Sequence, residues 1–208
     1  NGTIRGPAWA TGKYGNGMYF TGSGDYVEIN DNANTKISNF TVSAWMKIDS
    51  ETINYAHIIS KTNGTSGFIV TTTGATPHKI YIAAFNASGA EKNTATAPIP
   101  FVLGAWKHYA FTYNGTHISA YADGAWVYTS VFQGAYKDSI NSVMRFGSAA
   151  QFLGQYFNGT LDEVRLYNRS LNAAEIQQLY WSNLNKYDTD KWRFQSNIWI
   201  TNSSYTYS

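Results

Sequence analysis

A chain of 208 residues with only 13% charged side chains and a formal charge of +2 shows no basic run with interleaved aromatics, which excludes the electrostatic footprint of a nucleic-acid binder. It has no cysteine, which removes disulfides and thiol chemistry. No apolar run approaches the ~18 residues needed to cross a bilayer, and neither a secretory leader nor an anchor is visible, so no membrane contact is expected within this segment. Abundant Gly, Ser, Thr, Asn and Tyr suit strands and turns, and the length fits one large all-β domain that buries a core without a disulfide.

In chain order, residues 95–100 read as a loop, because their prolines cannot donate to a central ladder. Two alternating runs follow, residues 106–113 and 116–122, separated by Asn114-Gly115. That dipeptide predicts a two-residue type I′ hairpin, with Thr112 opposite His117, Ala110 opposite Ser119 and His108 opposite Tyr121. One face of the ribbon then carries Trp106, His108, Ala110, Thr112, His117, Ser119 and Tyr121. The other carries Tyr109, Phe111, Tyr113, Ile118 and Ala120 and reads as core. Asp123-Gly124 signals a second turn into residues 126–128.

The stretch from Gly159 to Leu171 is the most informative. Leu161, Val164 and Leu166 alternate with Asp162, Glu163 and Arg165 as in a half-buried strand, with one slip at Asp162-Glu163. The pattern then switches to a helix start. Asn172 is a good N-cap and Glu175 completes a capping box, so a short helix is expected over residues 173–180.

A strand that leads into a short capped helix, late in a strand-rich chain, resembles the closing signature of laminin-G-like, concanavalin A-type jelly-roll domains. Upstream, residues 12–20 and 24–29 resemble the family's opening pair of strands, residues 40–47 its F-T-x-x-x-W strand, and residues 104–110 with 121–124 its central hairpin. The resemblance implies an all-β fold: a two-sheet antiparallel jelly-roll sandwich with one short C-terminal helix, over residues 1–181. The family's usual first strand, with an aromatic-acid pattern, has no counterpart before Gly12. Residues 182–208 read as a linker or as the start of a truncated immunoglobulin-like module, which residues 188–194 and 204–207 resemble. The chain is therefore expected to be part of a longer, multi-module surface protein. Archaeal and bacterial surface proteins suit the lack of cysteine, and neighbouring modules of the same chain are expected partners.

The fold also occurs in glycoside hydrolases, whose paired carboxylates typically follow an E-x-D-x-x-E pattern. None of Glu28, Glu51, Glu91, Glu163 and Glu175 belongs to such a motif. Asp162 and Glu163 are adjacent, so on a regular strand they point to opposite faces. No G-x-S-x-G elbow occurs, and the four histidines lack transition-metal spacing. No enzyme activity is expected. For a metal, the resemblance implies a structural calcium held by Asp162 and Asp25, with backbone oxygens from residues 14–17 as additions. The bland alternative is that Asp25 caps a turn or pairs with a base, while Asp162 bonds Arg165 or a backbone amide.

Eight N-x-S/T sites occur, at Asn1, Asn39, Asn63, Asn86, Asn114, Asn158, Asn168 and Asn202. Compositional bias explains them as well as dense glycosylation does, and both readings favour an extracellular or cell-surface location. The leading function is a non-catalytic carbohydrate-binding or adhesion module that takes glycans or surface glycoproteins as partners. Aromatic faces stack on sugar CH groups and planar polar groups read their hydroxyls. The candidates are Trp126, Tyr128, Tyr136, Gln151 and Tyr156, whereas Trp45 and Trp106 read as core, and His108 with Tyr121 as a buried pair. The alternative is a structural spacer or protein-protein adhesion domain with no sugar site.

Overall fold

The computed structural model describes residues 2–50, 55–73, 78–93, 99–152, 154–181, 183–186 and 192–195. Two antiparallel sheets form a sandwich. The first contains, in spatial order, β1 (Thr3–Arg5), β4 (Tyr26–Ile29), β14 (Met144–Phe146), β6 (His57–Thr62), β7 (Gly67–Thr73), β8 (Lys79–Phe85) and β10 (Ile99–Pro100), with β9 (Glu91–Asn93) also paired to β8. The second runs β13 (Ala125–Val131), β12 (His117–Ala122), β11 (Trp106–Tyr113), β5 (Phe40–Ser50), β15 (Asn158–Tyr167), β3 (Asn16–Thr21) and β2 (Ala8–Thr11). The one α-helix among the described residues, α1, spans Ala173–Trp181. Strands β16 (Asn183–Lys186) and β17 (Trp192–Gln195) pair only with each other; the remainder of 182–208, including the segment 204–207, lies outside the described residues.

The core forms where inward positions of the two sheets meet, as alternation demands. Phe40, Val42, Met46, Tyr109, Phe111 and Ile118 of the second sheet face Ile59, Phe68, Val70, Ile80 and Ile82 of the first, all buried. Phe40 stacks on Phe68 with ring centroids 5.0 Å apart. In β15 the alternation slips as expected. Glu163 adopts φ +50° and the register to β5 shifts between Asp162 and Arg165. This bulge keeps Leu161, Val164 and Leu166 packed on the core; without it Glu163 and Arg165 would face inward.

The β11–β12 turn differs from expectation. Tyr113 pairs with Ile118 and Thr112 with Ser119, so the loop is longer by two residues and every partner slides by two. The faces survive, because a slip of two preserves parity. Asn114 explains the change. Its Oδ1 accepts from the amides of Thr116 (3.0 Å) and His117 (2.8 Å), an Asx turn that competes with the two-residue geometry. Gly115 alone takes positive φ there, whereas a type I′ turn needs it at both positions. Two further details refine the reading. Residues before Gly12 form the short edge strands β1 and β2, whose mostly exposed side chains carry no alternation. Ile99 and Pro100, read as loop, pair with the edge of β8, where a proline is tolerated.

The expected capping box is present: the Asn172 amide donates to Glu175 Oε2 at 2.9 Å and the Glu175 amide to Asn172 Oδ1 at 3.0 Å. The helix lies on the outer face of the second sheet, where Leu171 and Ile176 bury Ala110 and Tyr121. Tyr180 stacks on Trp45 at 5.5 Å and packs beside His108, so that face is closed. At one end of the sandwich the fully buried Lys61 reaches Asp138 at 2.9 Å and Asp31 at 3.5 Å, joining two loops. Replacing Lys61 by Met leaves both acids without their cation, with the hydrogen bonds from Thr35 and Asn141 to Asp31 and from Ser139 to Asp138 remaining. We expect it to cost about 3 kcal/mol, the lower end for breaking a buried pair because both carboxylates retain some water. A urea midpoint unchanged by the substitution would show that the acids are solvated without the lysine.

Candidate functional site

On the outer face of the first sheet the alternation is unusual, because both sides of the strands are covered. Phe68, Val70, Ile80 and Ile82 point into the core. The opposite-facing Ile69, Thr71, Tyr81 and Ala83 are buried as well. The cover is made by residues 147–152 and 154–157. It hangs from β6 through Gly147 N to Ile58 O (2.8 Å) and His57 N to Gln155 O (3.1 Å), and closes on itself through Phe157 N to Gly147 O (3.0 Å). Gly147 is required at this crossing: with φ +87°, a Cβ there would lie 2.3 Å from the Phe20 ring.

The cover does not close completely. It leaves a cavity of about 360 Å³ lined by Tyr55, His57, Ile69, Thr71, Thr73, Tyr81, Ala83, Glu91, Phe152 and Gln155, within the ~300–1,000 Å³ of small-ligand sites. His57, Thr71 and Tyr81 lie in one row across β6, β7 and β8. The Phe152 ring leans on His57 with centroids 5.1 Å apart, and Tyr55, 48% exposed, stands at the rim. Four buried polar atoms here have no hydrogen-bond partner: His57 Nδ1 and Nε2, Thr73 Oγ1 and Gln155 Oε1. Buried polar atoms are nearly always bonded, so a cluster of orphans in one cavity demands an explanation. Burial holds the His57 pKa down to about 4, and the Gln155 side chain opposes it, so the two side chains lie close enough to interact although neither makes a hydrogen bond of full geometry. Burial, with Glu91 adding to it, raises the Tyr81 phenol above its ordinary range.

Sequence reasoning reached the edge of this site. Gln151 and Tyr156 belong to the covering segment, but the residues that line the cavity are their neighbours Phe152 and Gln155; Tyr156 forms a backbone bridge with His57. Trp126 and Tyr128 lie on β13, at the edge of the other sheet. Trp126 is 61% exposed and its Nε1 donates to Thr129 at 2.9 Å. Tyr136, read as exposed, instead packs on the core between Phe40 and Tyr113, since the loop that carries it folds back over the sandwich edge. A sequence signal for the cavity does exist: β7 and β8 read as near-continuous apolar and β-branched runs, the pattern of strands buried on both faces.

A family model described as the concanavalin A-like lectin/glucanases superfamily matches residues 21–177. The chain belongs to that superfamily. A search of curated proteins by sequence found no match. Among solved structures, similarity extends to the binding domain of a Paraclostridial Mosquitocidal Protein 1 (TM-score 0.71, 14% identity, 88% of this chain and 49% of that one). It also extends to the botulinum neurotoxin serotype G binding domain (TM-score 0.69, 15% identity, 86% and 46%). A third is domain 4 of AbnA, an extracellular arabinanase from Geobacillus stearothermophilus, solved with arabinotriose (TM-score 0.69, 17% identity, 86% and 87%). The chain thus spans about half the length of the two toxin binding domains. At these identities the likeness is one of fold.

The carboxylates expected to hold calcium serve two separate turns. Asp162 accepts the amides of Tyr14 and Glu163, both at 2.8 Å. Asp25 accepts the amide and hydroxyl of Thr21, both at 2.6 Å. In the turn after β2, the Gly15 carbonyl accepts from Gly12 N. Donor hydrogens satisfy a carboxylate and oppose a cation, and among the described residues no group of three or more His, Asp or Glu stands where a metal would be held. The two carboxylates to which the resemblance assigns calcium are thus engaged by donors in separate turns. Of the N-x-S/T sites, Asn39, Asn63, Asn114 and Asn168 are exposed and Asn158 is half-buried. Asn86 is buried and spends its amide nitrogen on Gln133 O; Asn1 and Asn202 lie outside the described residues.

Two outcomes follow from these environments. Asp162→Ala is expected to destabilise the fold by at least about 1.5 kcal/mol, the value of one hydrogen bond to a charged group. Melting temperatures in calcium and in chelator are expected to coincide; a calcium-dependent rise abolished by Asp162→Ala would restore the metal. The second outcome concerns His57 and His108, both held by burial at a pKa of about 4. The unfolded chain takes up protons first, so stability should fall as pH drops from 6.5 towards 4, by no more than roughly 3 kcal/mol per ring. Burial raises Asp162, which works in the opposite direction in a window just above 3.8. Unfolding free energies that stay flat from pH 7 to 4 would contradict the neutral histidines.

Proposed function

We propose that this chain is a non-catalytic carbohydrate-binding module, displayed outside the cell as one unit of a longer surface protein, and that glycans occupy the cavity roofed by residues 147–152 and 154–157. The observation that carries the reading is the set of orphaned atoms on His57, Thr73 and Gln155 beside the rings of Tyr55, Tyr81 and Phe152. Aromatic faces for sugar CH groups and a few convergent polar atoms for hydroxyls are what a sugar needs from a protein. The arabinotriose complex of the similar arabinanase domain supports the same class of ligand. Hydrolysis would require two carboxylates about 5–9.5 Å apart; Glu91 is the single carboxylate among the described lining residues. Residues 182–208 fit a connection to a neighbouring module.

A glycan array with the full chain, Phe152→Ala and Gln155→Ala tests the reading. Reproducible hits are expected, weakened at least tenfold in both variants, which is about 1.4 kcal/mol of binding. Hits indifferent to both substitutions would place the ligand elsewhere. An empty array with retained binding to cells would favour a spacer or protein-protein adhesion domain.

A further inference from the structure

The same cavity discriminates among glycans. Resting on the reading above, we propose that the sugar unit seated there is uncharged, recognised by hydroxyl groups that donate as well as accept, and that units bearing carboxylate, sulfate or phosphate are rejected.

The argument starts from what each orphaned atom can do. Gln155 Oε1 is an acceptor only; it makes no hydrogen bond of full geometry, and the group beside it in the fold that can donate is the single N–H of the neutral His57 ring. A ligand group that ends this deficit must donate a hydrogen. A sugar hydroxyl does so, whereas an ionised carboxylate, sulfate or phosphate seated at that atom accepts only, so a charged unit could meet it only through one of its hydroxyls, with its anionic group left against the remaining acceptors. Thr73 Oγ1 both donates and accepts, and a neutral imidazole at His57 presents one donor and one acceptor. Acceptors therefore outnumber donors among the orphaned groups, the reverse of an anion site.

Charge points the same way. Anions are held by arginine forks, lysine or stacked backbone amides. No lysine or arginine is among the described lining residues. The buried His57 ring, 5% exposed, is neutral near pH 7 and supplies no cation. Lys79 stands opposite Thr73 and two positions before Tyr81 on β8. It shares their face and does not line the cavity.

Matched pairs of oligosaccharides, each a neutral glycan and its uronate or sulfated counterpart, decide the matter by calorimetry at pH 7.5. The proteins are the full chain, Gln155→Leu, Thr73→Val and Lys79→Ala. The expected result is binding of neutral members, counterparts at least tenfold weaker, a tenfold loss in Gln155→Leu and Thr73→Val, and no change in Lys79→Ala. Charged members that bind as tightly and respond to Gln155→Leu would overturn the exclusion of charge and leave the glycan site standing. Charged members that respond to Lys79→Ala and not to Gln155→Leu would overturn the proposal in favour of a surface site beside the cavity. Glycan binding indifferent to every substitution would overturn the glycan reading of the cavity itself. Melting curves of the four proteins should coincide within a few degrees, since the two cavity substitutions keep side-chain volume.

Discussion

The carboxylate of Asp162 reaches from the middle of β15 to the amide of Tyr14, 148 positions earlier, and the strand that carries it lies between β5 and β3. On the core side of β15, Leu161, Val164 and Leu166 complete the apolar layer only because the bulge at Glu163 resets their parity. On the other side, Asp162 settles the turn between β2 and β3. Gly12 is a requirement of that contact, since a Cβ there would lie 2.5 Å from Asp162 Oδ2. Apolar alternation, bulge and buried carboxylate are thus one device. It joins the opening strands to the closing one.

With that sheet set, each outer face is finished differently. The second sheet is sealed by a capped helix whose apolar residues fit over Ala110 and Tyr121, and Trp45 lies between the Lys13 ammonium and the Tyr180 ring. The first sheet is covered by irregular chain that has no apolar stripe. Irregular chain must satisfy its own backbone polar groups, so it follows its hydrogen bonds to β6 and fills the space beneath imperfectly. The helix seals its face; the loop leaves a cavity. The difference in covering element explains why the candidate site is on one sheet and not on the other.

Much of the architecture is legible in the residues themselves. Leu161 to Leu166 announce the last strand and its bulge, Asn172 and Glu175 the helix, and residues 106–113 a strand with the observed limits. What escapes is decided by side chains acting on backbone at a distance. Asn114 looks like half of a tight turn, yet its side chain bonds forward to Thr116 and His117 and lengthens the loop. Tyr136 sits in a polar stretch and still finds Phe40, because the path of a loop is not written in its local pattern. The cavity was half visible. Gln151 and Tyr156 mark the right segment, but which of its residues turn inward depends on bonds between Gln155, Gly147 and β6 that no spacing rule contains. Nothing local sets His57, Thr73 and Tyr81 apart, since only the covering segment makes their outer face an interior.

The long reach of Asp162 also has a meaning in time. A ribosome extends a chain by ~5–20 residues per second, so on the order of ten seconds separate the appearance of the Tyr14 amide from that of the carboxylate that accepts it, 148 residues later. Through that interval β3 has its hairpin partner β2 but lacks β15, and β5 has an open edge on the same side. The edges of β3 and β5 that β15 covers therefore stay unpaired until that strand has been made.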